Sequence, residues 1–187
     1  MGRAGYLIQC VEMSLRRLKL ERIELYQLHR IDPRTPLEES LVALRLMQEQ
    51  GKIRHIGMSE VSAGQIEEAR TMVDVVSVQN RYSLADRRYE ETLKYCERAG
   101  IGFLPWYPLA GGKVLRPGEA KTALVAAVAA RHGVTAAQLS IAWLLQRSPA
   151  MLPIPGTSKV AHLEENVAAA SIKLSAEDWA EVEAGCA

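Results

Sequence analysis

The sequence predicts an α/β protein built on a parallel sheet, and three observations support this. Short apolar runs rich in β-branched residues alternate with longer stretches in which apolar residues recur every three or four positions. The short runs are mostly apolar, which is typical of strands that helices bury on both faces. Polar or aromatic residues directly follow four successive runs. Parallel α/β folds place their chemistry at such strand ends.

Each element can be assigned in chain order. Several helical stretches begin or end at familiar signals, with Thr135 as an N-cap and Gly51 and Gly133 as stops. The predicted strands are Ile23–Leu28, His55–Met58, Val75–Val78, Gly102–Pro105 and Met151–Ile154. The predicted helices are Tyr6–Leu18, Leu37–Met47, Ile66–Met72, Tyr89–Ala99, Ala120–His132, Ala136–Gln146, Val160–Ala169 and a last helix capped at Ser175.

Two architectures fit this order of elements. A (β/α)8 barrel directs every strand end to one mouth, whereas an open doubly wound sheet uses mainly its topological switch point. His29, Ser59, Gln79 and Trp106 follow four consecutive strands, which favours the barrel. A complete barrel takes roughly 250 residues, and this chain has 187. We therefore expect one incomplete TIM-barrel domain over residues 1–187, with about five parallel strands, and keep a flavodoxin-like sheet as an alternative.

Composition excludes several classes of partner. A net charge of +1 leaves no basic excess for nucleic acid. Cys10, Cys96 and Cys186 lie far apart without a CxxC pair, which favours a reducing compartment over a disulfide framework or a metal site. The apolar runs are too short to cross a bilayer, and the first residues lack the apolar stretch of a signal peptide. We expect a cytoplasmic protein with no membrane partner.

Five pieces of the sequence, in order and at the expected spacing, resemble motifs of the aldo-keto reductases. They are residues 25–33 (LYQLHRIDP), 51–59 (GKIRHIGMS), 78–83 (VQNRYS), 106–112 (WYPLAGG), and 154–158 (IPGTS) with 163–166 (LEEN). Each piece is weak alone, but the ordered set is specific and covers the chain from about Tyr6 onward. The resemblance implies an NADP(H)-dependent oxidoreductase that acts on small aldehydes, ketones or the corresponding alcohols.

Within this resemblance, His29 matches the catalytic histidine that orients and polarises the substrate carbonyl. In the family, a proton-donating tyrosine, a lysine and an aspartate all precede this strand. Here only residues 1–19 and a short turn do so, and Tyr6 and Lys19 lie outside any matching motif. We therefore expect this chain to be truncated and inactive or weakly active. A non-catalytic cofactor-binding or regulatory module on the same barrel is the alternative.

The resemblance also implies a set of cofactor contacts. Ser59 and Gln79 match positions that bind the nicotinamide carboxamide, for which a hydroxyl and an amide are suitable partners. Trp106 matches the aromatic residue that stacks on the nicotinamide. At position 60, where the family most often has Asn, this chain has Glu60. The residues expected at the cofactor are Ser59, Gln79, Trp106, Tyr107, Pro108, Leu109, Ala110, Gly111, Gly156, Thr157, Ser158, His162, Glu165 and Asn166.

The last of these residues begin a helix, where backbone N–H groups and hydroxyls bind phosphate. Lys159 and His162 add positive charge for a 2′-phosphate, which favours NADP over NAD, although the family often has Arg at position 162. Glu165 and Asn166 match positions that contact the adenine. We also expect self-association, because an open barrel exposes unpaired strand edges.

Overall fold

The computed structural model describes residues 2–110 and 120–186, and these cluster into two compact units. The first unit lies within residues 1–80 and 94–103, and the second within residues 81–93 and 104–187.

The first unit is a parallel sheet with helices. Each strand pairs with its neighbour in sequence, giving the order β1-β2-β3-β4. Helix α1 packs on α2, α2 on β2, and α3 on β3, as alternating strands and helices require. The elements are α1 (Ala4–Leu18), β1 (Ile23–Leu28), α2 (Leu37–Glu49), β2 (Ile53–Ser59), α3 (Ala63–Arg70), β3 (Val75–Gln79), β4 (Gly102–Phe103) and, from Lys94 onward, α4 (Glu90–Ala99).

The register of this sheet depends on a glycine in β2. Gly57 pairs with Gln27 of β1 and with Ser77 of β3. The side chain of Gln27 passes beside Gly57, and its Nε2 donates to Ser77 Oγ at 3.0 Å. A Cβ at position 57 would lie 2.3 Å from Ser77 Oγ and 2.9 Å from Gln27 Cγ. Only glycine leaves room for this polar bridge between alternate strands.

The second unit is helical and is centred on Trp143, which is fully buried. The Trp143 ring stacks on Tyr82 at 6.3 Å and on Trp179 at 5.7 Å. Its Nε1 donates to Glu183 at 3.0 Å, so the buried indole N–H has a partner. The elements are α5 (Ala120–Arg131), α6 (Ala136–Arg147), α7 (Val160–Ala168), a 3-10 turn (Ala169–Ser171) and α8 (Ala176–Cys186).

One carboxylate ties the start of α8 to the end of α5. Asp178 accepts hydrogen bonds from Arg131, at 2.6 Å, and from Ser175, at 2.8 Å, and its other contact is His132 at 2.9 Å. Ser175 Oγ also accepts from the Asp178 N–H, which makes it the predicted cap of α8. The hydrogen bond from Arg131, followed by those from Ser175 and His132, holds the pKa of Asp178 well below its usual range.

Four of the five predicted strands are confirmed, but the fifth is wrong. Between residues 151 and 154 only Met151 forms a β-bridge, and the residues after it have no strand structure. Pro153 and Pro155 explain the difference, because neither can donate a hydrogen bond to a sheet. The predicted helices are all present, with ends that differ by a few residues.

In the described part of the chain, no single helix is long and apolar enough to cross a membrane. Residues Thr122–Arg131 and Ala136–Arg147 meet the requirements of length and composition only as a pair, across an 88° bend.

Replacing Gly57 with Ala should lower the free energy of unfolding by about 1–3 kcal/mol, because the new methyl group displaces the Gln27–Ser77 bridge. Urea denaturation followed by circular dichroism measures this. Gly64, in α3, is the matched control, since a Cβ there meets nothing within 4 Å. Gly64→Ala should raise the stability by about 0.5–1 kcal/mol through helix propensity. Equal stability of the two variants would contradict this account of the sheet.

Candidate functional site

A chain of hydrogen bonds joins the carboxyl ends of β1, β2 and β3. His29 directly follows β1 and is exposed. Nη1 of Arg30 donates to the His29 carbonyl at 2.6 Å and to Ser59 Oγ at 3.0 Å. The Ser59 hydroxyl in turn donates to the carbonyl of Gln79 at 2.7 Å. The three residues predicted from the sequence at these strand ends are thus brought together, with Arg30 as the connection.

Ser59 is not needed as a helix cap. It is buried, with 3% of its surface exposed. Ser62 caps α3 instead, through a capping box in which its hydroxyl accepts from the Gln65 N–H and the Gln65 side chain accepts from the Ser62 N–H. The fully buried Asn80 side chain holds the intervening turn by bonding both the N–H and the carbonyl of Val61. Ser59 Oγ therefore keeps a free lone pair for an external donor.

The turn after β2 is strained at Glu60. Its φ of 56° lies in the left-handed region, which non-glycine residues adopt at a cost. The Glu60 N–H donates to the Gln79 carbonyl at 3.1 Å, so the conformation helps to bind β2 to β3 at the site. Asn tolerates this conformation better than most residues. The left-handed backbone is therefore a reason why aldo-keto reductases would most often have Asn where this chain has Glu60, and this reason does not depend on any ligand contact.

The loop that begins at Trp106 also contains strained residues. Tyr107 has φ of 61° and Ala110 has φ of 50°, and the Ala110 N–H donates to the Tyr107 carbonyl at 2.9 Å. Trp106 and Tyr107 are half-buried, with ring centroids 5.9 Å apart at an angle of 59°. Pro108 is buried. The predicted phosphate contact Gly111 lies outside the described residues.

Six of the predicted cofactor residues line one cavity of about 270 Å³ in the second unit. Leu109 contributes from the Trp106 loop, and Thr135, Ala136 and Ala137 contribute from the start of α6. Ser158 is exposed beside the cavity and is not among its lining residues. The six predicted residues are Leu109, Gly156, Thr157, His162, Glu165 and Asn166.

The start of α7 at this cavity is suited to an anion. Within the described residues no side chain caps the helix, and its first turn contains no acidic residue. Its first backbone N–H groups therefore face outward without helical partners. Thr157 Oγ1 accepts from the Lys159 N–H at 3.1 Å, which leaves the hydroxyl hydrogen available to a ligand. Glu165 and Asn166 are half-buried, and Glu164 is exposed.

Sequence reasoning missed two contributions to these sites. It assigned Thr135 only as an N-cap, yet the start of α6 also forms a cavity wall where two alanines permit close approach. Gln138 of α6 donates to the Glu165 carbonyl at 3.2 Å and so joins α6 to α7. The second is Arg30, whose hydrogen bond to Ser59 could not be inferred from its position after His29 in the sequence. Across the described ranges, no three His, Cys, Asp or Glu side chains converge as metal ligands would.

Comparison with known proteins was made against families, curated sequences and solved structures. A model described as the aldo/keto reductase family matches residues 1–185. An uncharacterized oxidoreductase of Schizosaccharomyces pombe is 48% identical over 182 residues, 97% of this chain and 58% of the relative. A probable aldo-keto reductase of Glycine max is 35% identical, over 97% of this chain and 60% of the relative. Pyridoxine 4-dehydrogenase of Escherichia coli is 44% identical over 141 residues, 75% of this chain and 48% of the relative.

Solved structures agree with these relatives. A thermostable aldo-keto reductase crystallised with the inhibitor epalrestat superposes with a TM-score of 0.90 and 32% identity, over 98% of this chain and 67% of that one. A putative 2,5-diketo-D-gluconic acid reductase B gives a TM-score of 0.87 and 31% identity, over 97% of this chain and 63% of that one. The fold class is therefore that of an incomplete (β/α)8 barrel. The chain spans about three fifths of the length of the first two curated relatives.

Proposed function

Because the chain belongs to the aldo-keto reductase family, we propose that it binds NADP(H) and contributes to hydride transfer between this cofactor and small aldehydes or ketones. The observation that carries the proposal is the cavity at the start of α7, which unites six residues expected at the cofactor. Its volume of about 270 Å³ and its helix N-terminus are consistent with the adenosine-phosphate end of the molecule.

The nicotinamide ring supplies or accepts the hydride when the cofactor is bound. We propose that Ser59 and Gln79 hold its carboxamide, with Ser59 Oγ accepting from the amide NH₂. The Gln79 side chain makes no hydrogen bond to the described residues, so its amide is available to the carboxamide. His29 would donate to the substrate carbonyl oxygen and so orient and polarise it.

We propose NADP(H) rather than NAD(H) as the cofactor. Lys159 occupies the N-cap position of α7. His162 lies one turn further along the same helix and lines the cavity. The imidazole of His162 in the cavity lining and the exposed Lys159 at the helix start support the binding of a 2′-phosphate. A single imidazole binds phosphate less strongly than a bidentate guanidinium, so we expect a modest preference.

The alternative is a non-catalytic, cofactor-binding or regulatory role, in which these 187 residues show little or no turnover. One observation favours it. Tyr6 and Tyr26, the two tyrosines that precede His29, share a hollow with Cys10 whose lining does not include His29. A proton donor would have to lie beside the substrate carbonyl that His29 orients.

Binding of NADP⁺ to the purified chain tests the proposal through tryptophan fluorescence. NADP⁺ should quench the emission, and Trp106→Ala should remove the quenching and weaken binding about two- to twelvefold, the range that aromatic stacking supplies. Trp179→Phe is the control, since Trp179 stacks on Trp143 in the second unit, and it should preserve the quenching. Absence of any quenching would contradict the proposed site.

Turnover separates the two roles. Pyridoxal is a suitable first substrate, because one relative is a pyridoxine 4-dehydrogenase. Oxidation of NADPH with pyridoxal at a rate that falls on His29→Ala would establish catalysis by this chain. Tight cofactor binding without such oxidation would support the binding role.

We also propose that the isolated chain is cytoplasmic and self-associates through β1. This strand ends the sheet order, and Leu25 on it is 39% exposed, so a free backbone edge lies beside an apolar side chain. The expected partner is a second copy of the same edge.

Free, isolated Cys10 and Cys96 are compatible with the reducing conditions of the cytoplasm.

Sedimentation velocity over a range of protein concentration tests this self-association. The unmodified chain should show a concentration-dependent increase in sedimentation coefficient, and Leu25→Lys should reduce it, because a charge opposes edge pairing. Val42→Lys is the control, since Val42 is equally exposed, at 40%, but lies on α2. A monomer at all concentrations, or equal effects of both variants, would contradict the proposal.

A further inference from the structure

A cationic side chain lies over both aromatic rings at the start of the Trp106 loop. The guanidinium carbon of Arg81 is 5.6 Å from the centre of the Trp106 ring and 4.7 Å from that of Tyr107. Both distances are within the range of cation–π attraction. The two rings are tilted by 59°. One planar group therefore contacts both rings, which also lie against each other.

The backbone brings these three residues together. Arg81 and Trp106 form a parallel β-bridge, and the Tyr82 N–H donates to the Trp106 carbonyl at 3.3 Å. Tyr107 follows in the left-handed conformation, at φ of 61°. This turn is costly for a bulky residue, so it persists only where surrounding contacts stabilise it. The guanidinium of Arg81 is such a contact.

Arg81 is itself held in place. Its Nε lies 3.0 Å from a carboxylate oxygen of Asp86, and Arg88 bonds the other oxygen at 2.9 Å. Asp86 is fixed by two backbone hydrogen bonds with Ser83, at 3.0 and 3.1 Å, which close the turn. Burial opposes ionisation of Asp86, but hydrogen bonds from Arg88 and the charge of Arg81 outweigh it and lower the pKa. The acid thus stays charged at neutral pH and anchors the guanidinium.

We propose that Arg81 is a positioning residue for the cofactor: it fixes the rings of Trp106 and Tyr107 so that Trp106 offers a preformed surface to the nicotinamide. This rests on the proposed function, in which Trp106 stacks on that ring. Preformed rings lose less conformational entropy on binding, so Arg81 strengthens cofactor binding without touching the cofactor. Arg88 shares Asp86 with Arg81 and so provides a comparison at the same turn.

The first test uses the cofactor-free chain labelled with 5-fluorotryptophan. Its three tryptophans should give three fluorine resonances, which Trp106→Phe and Trp179→Phe assign. Arg81→Met should shift or broaden the Trp106 resonance and leave the other two unchanged. Arg87→Met is the internal control, because the guanidinium of Arg87 lies 4.6 Å from the Trp143 ring and should affect that resonance instead.

The second test measures NADP⁺ binding by the same variants. Arg81→Met should weaken binding about two- to fivefold, the equivalent of one cation–π contact, and Arg81→Lys should restore part of the loss. Arg88→Met should leave binding within about twofold, since it removes a partner of Asp86 while Arg81 keeps its contact with both rings.

The outcomes separate the inference from the proposed function. An Arg81→Met variant with an unchanged Trp106 resonance and unchanged affinity would overturn the inference. So would an equal loss in Arg88→Met, which would mean that the turn at Asp86 matters and the ring contact does not. If Trp106→Ala binds NADP⁺ as tightly as the unmodified chain, the stacking contact of the proposed function fails. If Trp106→Ala weakens binding and Arg81→Met does not, the stacking contact stands and only the positioning role of Arg81 is contradicted.

Discussion

The parallel pairing of β1, β2 and β3 is the constraint on which the strand-end site of the first unit depends. Because Leu28 pairs with Met58, and Ser59 with Gln79, the three strands end at one edge of the sheet. The Gln27–Ser77 bridge beside Gly57 stabilises this register from within. A slip of one residue would turn every side chain to the opposite face and separate the groups at the strand ends.

The cavity of the second unit depends on helix ends. Free backbone N–H groups at the start of α7 meet a wall made by the first turn of α6, which its capping box with Thr135 and Gln138 fixes in place. The same Gln138 also bonds the Glu165 carbonyl on α7. The capping box that begins α6 thus also positions α7, and Leu109, Gly156 and Thr157 complete the lining of the cavity between the two helices.

Much of the fold could be predicted from the sequence, because short, mostly apolar strands and helices with marked ends give strong local signals. The predicted bounds of β1, Ile23–Leu28, agree with the structure. The error at residues 151–154 came from reading apolar character without giving enough weight to Pro153 and Pro155. Whether the whole chain forms one domain stays a prediction.

The candidate site was predicted less completely, for a physical reason. Motifs indicate which residues follow a strand, but long-range partners depend on three-dimensional proximity. Arg30 reaches Ser59 across 29 positions, and Gln138 reaches Glu165 across 27. The ring contacts of Arg81 arise from a bridge between residues 25 positions apart and were equally invisible in the sequence. The left-handed conformation of Glu60 likewise becomes apparent only from the backbone.

The central claim is that the cavity at the start of α7 holds the adenosine-phosphate end of NADP(H). It is tested most directly by calorimetric titration with adenosine 2′,5′-bisphosphate, which carries the 2′-phosphate but no nicotinamide. This account predicts binding that competes with NADP⁺, that exceeds the binding of adenosine 5′-monophosphate, and that loses this advantage in His162→Ala. Equal binding of the two nucleotides by the unmodified chain would contradict the preference for NADP, and no binding of either would contradict the site.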